Sequence, residues 1–339
     1  YPLIDGVVNG CPSHLLEPSV TNYINNSQTS ASIEYNNVNS VTENSGISPD
    51  GTLNAIKIDA DANDIADSYR NVGSGVIGTF SIFAKSGSSD SIGLNPSSTG
   101  STSLAVFNLS NGEITSTSGS QYIDSSIENY GNGWYRCSIT FTTGTGSYIN
   151  RIRFYDTGTY EVYGMQLENS SYPTSYIPTS GSAVTRSAET ANGAGDASTF
   201  NDSEGVLMAE ISALASSDTS YRALSLSDGT SSNRVQIWIW NNGTIFTYIV
   251  AQGSTSYTRF DNVNSSNINK ISISYKQNQF STFINGIKTF SDVIGNTPTG
   301  LNNIRFLDTN GSANFYGNTK QLQYFDSALN DSDLEKITS

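Results

Sequence analysis

A chain of 339 residues exceeds what one hydrophobic core usually serves, and its 30 acidic against 16 basic residues leave a net charge of −14. No basic stripe exists to displace counterions from phosphates, which makes nucleic acid and anionic membrane surfaces poor partners, while neutral polymers or a cation stay open. Abundant Gly, Ser, Thr and Asn, with 11% aromatics and no long helical apolar spacing, give the composition of an all-β protein with very little helix.

The chain opens at YPLIDG without an initiator methionine, which predicts a fragment or a mature product. No signal peptide and no stretch suited to membrane insertion is visible. The first dense feature is DADANDIAD, residues 59–67. Its D-x-D-x-N opening imitates a calcium loop, but Asp64 stands where an EF-hand needs Gly, and Arg70 where it needs a bidentate Glu. Two readings stay open: a Ca2+ site of another type on Asp59, Asp61 and Asp64, or a solvated acidic turn.

Segments of period two then recur, separated by Gly, Asn, Ser and Asp clusters. In the first half they are 78–85 (GTFSIFAK), 134–142 (WYRCSITFT), 149–155 (INRIRFY) and 161–167 (EVYGMQL). Along WYRCSITF, Tyr135, Cys137, Ile139 and Phe141 share one face, which predicts a buried thiol at Cys137. Cys11 and Cys137 are too few for a disulfide scaffold, and whether they pair stays open. Trp134 and Arg136 share the opposite face and are candidate sugar contacts, although Trp134 follows Gly133 at a strand start and also suits a packing anchor.

SSYPTSYIPTSG (170–181) fits neither strand, helix nor flexible linker. Pro173 and Pro178 fix their own φ, lack an N–H, and bias Tyr172 and Ile177 toward extended backbone. With its apolar content, the stretch reads as a strap lying against a finished domain. The polar, glycine-bearing stretch 189–205 marks a change of domain. The predicted organisation is two consecutive β-sandwiches, residues 1–189 and 198–339, with a connector at 190–197.

In the second half, period-two segments run over 206–211, 223–226, 235–240, 245–250, 270–275, 280–285, 304–307 and 320–325. In VQIWIW (235–240), Val235, Ile237 and Ile239 make one face and Gln236, Trp238 and Trp240 the other. If the aliphatic face enters the core, two indoles point outward roughly 7 Å apart. Tyr248, across the turn at Asn241, Asn242 and Gly243, extends the platform. Aromatic faces of this kind stack on the C–H face of a sugar, while amides such as Gln236 take hydroxyls. The competing reading covers both faces of the strand. Near the C-terminus, ALNDSDLEKI predicts a short helix capped by Asn330.

Chemistry finds little support. His14 is the only histidine, which argues against histidine triads and His-built zinc sites, and no E-x-D-x-x-E strand motif of concanavalin-like glycosidases occurs.

On GCPSHLLEPSVTNYI (10–24), SPDGTLNAIKI (48–58), GTFSIFAK, NGWYRCSITF (132–141) and YGMQLENSSYPTSYIPTSGSAVTRSAE (163–189), the first half resembles the jelly-roll, galactose-binding-like carbohydrate-binding modules of phage fibre proteins and marine bacterial secreted proteins. In such modules the strap follows the final strand and folds back on the sandwich; His14 stands where the family usually has a bulky apolar residue. The second half, on FINGIK (283–288) and NFYGNTKQLQYFDSALNDSDLEKI (314–337), resembles concanavalin-like, laminin-G-type sandwiches. These resemblances imply an extracellular, secreted or virion-surface protein that is not an enzyme and binds a polysaccharide or cell-surface glycan. The alternatives are a structural virion fibre or surface component that binds protein, a homo-oligomer if part of a fibre, and, third, a polysaccharide lyase or glycosidase.

Overall fold

Alternating small polar and apolar residues build antiparallel sheets throughout the computed structural model, which describes residues 3–4, 7–8, 13–98, 101–144, 148–214, 221–240 and 242–339. Among these residues one α-helix occurs, and the protein is all-β, with two β-sandwich units. The units comprise residues 1–10 with 19–187, and residues 11–18 with 188–339.

In the first unit, one sheet runs in the order Tyr122–Gly131, Trp134–Thr142, Ile77–Ser86, Gly158–Glu168, Ile56–Ala60, Ser40–Thr42. The facing sheet runs Glu113–Ser118, Leu104–Asn108, Ser91–Ser98, Ile149–Phe154, Ile65–Ser68, Glu34–Asn36. The alternation read along WYRCSITF holds, because Cys137, Ile139 and Phe141 join Ile92, Leu94, Phe107, Ile152 and Phe154 in one buried cluster. Burial pushes the Cys137 thiol far up, so it acts as a small hydrophobe. Cys11 lies outside the described residues.

The 170–181 stretch is a strap, and its fastenings are specific. Glu168, buried, accepts from the backbone N–H of Thr174 at 3.0 Å, from its hydroxyl at 2.7 Å and from Gln166 Nε2 at 2.7 Å. Gln166 Oε1 accepts from the Ile177 N–H, and Asn22 Nδ2 donates to the Ile177 carbonyl. Thr179 closes the series on Ile24 and Ser27. A strap that cannot join a ladder is thus held by buried side chains that replace its missing partners. Room for it comes from a β-bulge between Tyr163 and Gln166, where Gly164 adopts φ +64° and a Cβ would meet Phe83 at 2.9 Å.

In the second unit, one sheet runs Asn192–Ala194, Asn303–Arg305, Arg222–Ser227, Arg234–Ile239, Thr244–Ala251, Ser254–Asn262. The other runs Ile287–Asp292, Gln279–Ile284, Asn269–Lys276, Glu204–Ala213, Gly317–Phe325, His14–Leu16. Asn285 (φ 50°) and Gly286 (φ 78°) turn the chain between Gln279–Ile284 and Ile287–Asp292, as an Asn-Gly hairpin requires. The helix Asp331–Thr338 has Asn330 as its cap, accepting from the Asp333 N–H at 3.0 Å, and buries Leu334 against Val206 and Phe283.

Two segments sit differently from the sequence expectation. His14–Leu16, in a block resembling the first module, pairs with Gly317–Phe325 and puts Leu16 in the second core, while His14 itself is exposed beside Phe306. Asn192–Ala194, inside the expected connector, is an edge strand paired with Asn303–Arg305. The physical reason is common to both: each outer sheet strand has an open ladder that a short segment can complete, and Leu16 also fills the second core.

Candidate glycan-binding surface

Two-residue periodicity sorts the strand Arg234–Ile239 cleanly. Val235, Ile237 and Ile239 are buried in the second core, so Trp238, and Trp240 just beyond the strand end, lie on the opposite face of the sheet. Both are half-buried, as is Tyr248. Cross-strand register adds rings that the sequence reading missed: Trp238 pairs with Phe246, and Phe246 with Phe260.

The result is a cluster of six aromatic side chains. Phe246 and Phe260 stack with centroids 4.3 Å apart, and Tyr248 lies 5.2 Å from Phe246. Trp240 stands edge-on to Phe260 at 5.2 Å, to Tyr221 at 5.5 Å and to Phe246 at 6.1 Å. Tyr221 also meets Trp238 at 6.1 Å. Edge-to-face packing makes the surface corrugated rather than flat, and the rings that reach solvent most are Phe260 (48% exposed) and Tyr221 (44%). Phe246 could have been found as the i−2 neighbour of Tyr248; Phe260 sits in the polar run Ser254–Asn262, which shows no clean alternation.

Beside these rings lies an open hollow of about 480 Å3 lined by Asn242, Gly243, Asn262, Val263, Asn264, Ser265 and Ser266. Its lining shares the turn and strand that carry the rings: Gly243 donates to the Trp240 carbonyl at 2.9 Å, and Asn262 lies two residues beyond Phe260 on the same strand. Rings for C–H faces and amides for hydroxyls thus occur on the same hairpin and edge strand. Gln236 does not take part as expected. It is fully buried, with its Oε1 accepting from Trp238 Nε1 at 3.1 Å, and so serves to orient that indole. Its cover comes from this end of the face, where Ser225 Oγ ties down Leu307 and Arg234 both reaches Thr309 and stacks over Tyr248.

The other expected contacts are corrected by burial. Trp134 is 2% and Arg136 3% exposed. Trp134 donates its indole N–H to the Ile47 carbonyl at 3.1 Å, and Arg136 reaches Ser81 and stacks on Phe83. The strap covers the Arg136 part of this face, with Tyr176 on Phe83, and the 45–55 loop closes over Trp134, which the alternation of one strand could not reveal. Asp59, Asp61 and Asp64 are not gathered either: among the described residues no three His, Cys, Asp or Glu side chains are grouped to hold a metal. Asp64 closes its own turn by accepting from the Asp61 N–H at 2.7 Å, and Asp67 is held bidentately by Arg151 at 2.7 and 2.8 Å.

No protein-family model matches the chain. No curated protein matches it. Among solved structures it is similar to the CBM40 of the Ruminococcus gnavus IT-sialidase bound to α2,3-sialyllactose, at 18% identity and TM-score 0.36, over 44% of this chain and 97% of that one. A SAP-like pentraxin from Limulus polyphemus gives 9% identity and TM-score 0.35 over 44% and 74%. The NanB sialidase from Streptococcus pneumoniae gives 14% and 0.35 over 43% and 27%. Likeness at this level gives no ground for carrying a ligand or a site across.

Proposed function

We propose that the protein is a non-catalytic glycan-binding or adhesion protein, acting outside the cell or on a virion surface, that holds a polysaccharide or cell-surface glycan against the aromatic face of its second sandwich. The observation that carries this reading is the half-exposed cluster of Tyr221, Trp238, Trp240, Phe246, Tyr248 and Phe260 beside an amide-lined hollow. Rings supply sequence-tolerant stacking on sugar C–H faces, and Asn242, Asn262 and Asn264 supply donors and acceptors for hydroxyls. Affinity electrophoresis in gels containing alginate, agar, laminarin or mannan tests it. Retardation by at least one polymer without release of reducing ends or unsaturated product is the expected result; product release would make the protein an enzyme instead.

A second reading, a structural fibre or surface component that binds protein, is favoured by one feature. The edge strand Ile287–Asp292 and the residues after it expose Ile287 (67%), Val293 (71%) and Ile294 (76%). Stable oligomers in solution with no retardation on any polymer would select this reading.

A further inference from the structure

Across three neighbouring strands of the first sandwich, register sets Trp134, Lys85 and Glu161 in one row: Trp134 pairs with Lys85, and Lys85 with Glu161. The strap leaves this row uncovered. With Tyr130, Ile47 and the 46–51 loop it lines a cleft of about 440 Å3, within the roughly 300–1,000 Å3 of small-molecule sites. Trp134 forms the floor, and half-buried Tyr130 and exposed Ile47 offer apolar contact.

The polar groups of the cleft are incompletely used. Lys85 Nζ stands 3.5 Å from Glu161 Oε2 and 5.9 Å from the Trp134 ring centroid. Glu161 Oε2 is buried and, with Lys85 at 3.5 Å, accepts no hydrogen bond from any described residue, so this partly exposed carboxylate keeps unused acceptor capacity. The loop wall is preformed. The Trp134 indole holds the Ile47 carbonyl, and Asp50 accepts from Ser48, Thr52, Asn54 and, at 2.6 Å, Tyr163. A wall already ordered need not be ordered by the ligand.

We propose that this cleft is a second binding site, taking one neutral hexopyranose residue whose adjacent hydroxyls donate to Glu161 and accept from Lys85 while its C–H face meets Tyr130 and Ile47. Neutrality follows from the charges present. Lys85 and Glu161 already balance, and a sugar carboxylate would be set against Glu161. The site lies on the first sandwich and stands or falls apart from the aromatic face of the second.

Saturation-transfer NMR on the full chain carrying Tyr221→Ala and Phe260→Ala, which removes the most exposed rings of the second sandwich, with glucose, galactose, mannose and N-acetylglucosamine, and with sialic acid as the anionic comparator, tests it. At least one neutral hexose is expected to bind in preference to sialic acid. That binding should weaken about tenfold on adding Glu161→Gln, weaken severalfold on adding Ile47→Ala, and stay unchanged on adding Lys320→Ala, at an exposed position remote from the aromatic face. Ile47 is 57% exposed, so Ile47→Ala decides the matter if Glu161→Gln does not fold. No saturation transfer to any neutral hexose, or binding indifferent to both cleft variants, would overturn the proposal.

Discussion

Phe260 and Tyr221 present nearly half of their surface to solvent, whereas Trp240 touches three other rings. Phe260→Ala and Tyr221→Ala should therefore weaken glycan retention at a modest stability cost of about 0.5–1.5 kcal/mol each, since each ring still touches two others. Trp240→Ala should weaken retention and also cost about 1–3 kcal/mol, because it removes several aromatic contacts. Ile237→Ala, in the core, should cost about 2–5 kcal/mol, readable in chemical denaturation, and leave retention per folded molecule intact. A titrating residue gives a separate test. Burial works against the charge on Asp50, but hydrogen bonds from Tyr163, Thr52 and Asn54 outweigh it and hold the carboxyl below its usual range. Its folded pKa is thus depressed, so the fastening of the 45–55 loop is fully present above the ordinary Asp value of about 3.9 and is lost as pH falls through the folded value. Amide exchange at Thr52, corrected for intrinsic rates, should accelerate on acidification from about pH 5 towards pH 2. Unchanged protection across that window would contradict the assignment. At this scale the sequence showed which face Trp238 takes, since aliphatic alternation decides it; it could not show that Gln236, Trp134 and Arg136 are covered, because their covers come from segments distant in the chain.

Among elements, the strap shows how a proline-bearing segment is made part of a sandwich. Burial pushes the Glu168 carboxyl up, although Gln166, Thr174 and the nearby Arg136 all favour its charged form. Removing its partners is then costly. Thr174→Val keeps the backbone bond but deletes the 2.7 Å hydroxyl bond, and should cost about 1–3 kcal/mol in chemical denaturation. A cost near zero would mean that the hydroxyl bond to Glu168 contributes nothing to holding the strap, leaving its backbone bonds and Ile177 packing to do so. Its outline was legible from Pro173, Pro178 and the aromatics between them, as were strands with clean alternation such as Trp134–Thr142. Ser91–Ser98 was not, since Gly93, Asn95 and Pro96 all disfavour strands. Gly93 is there because a Cβ would meet the Tyr155 ring at 2.8 Å, and Pro96 lies beyond the residues that pair with Leu104–Asn108. Polar strands such as Tyr122–Gly131 and Ser254–Asn262 were hidden for another reason: each is a sheet edge with one neighbour, where solvent satisfies outward side chains and alternation fades.

On the scale of the whole molecule, the strand His14–Leu16 belongs with residues 188–339 although the rest of the first sandwich separates them in sequence. A fragment beginning at residue 188 should expose the Gly317–Phe325 edge, lose the buried Leu16 side chain, and be less stable and more prone to associate than the same fragment with residues 11–18 supplied. Equal melting temperatures for the two would contradict that pairing. The central claim, however, is that the second sandwich holds a glycan on its aromatic face. The most direct measurement compares the intact protein with the Tyr221→Ala, Phe260→Ala double variant by affinity electrophoresis on whichever polysaccharide retards the former, with melting temperatures recorded for both. The expected result is loss of most of the retardation while the variant stays folded, with a drop in melting temperature smaller than that of the core variant Ile237→Ala. Equal retardation of the two proteins, or no retardation of the intact protein by any of the polymers, would contradict it.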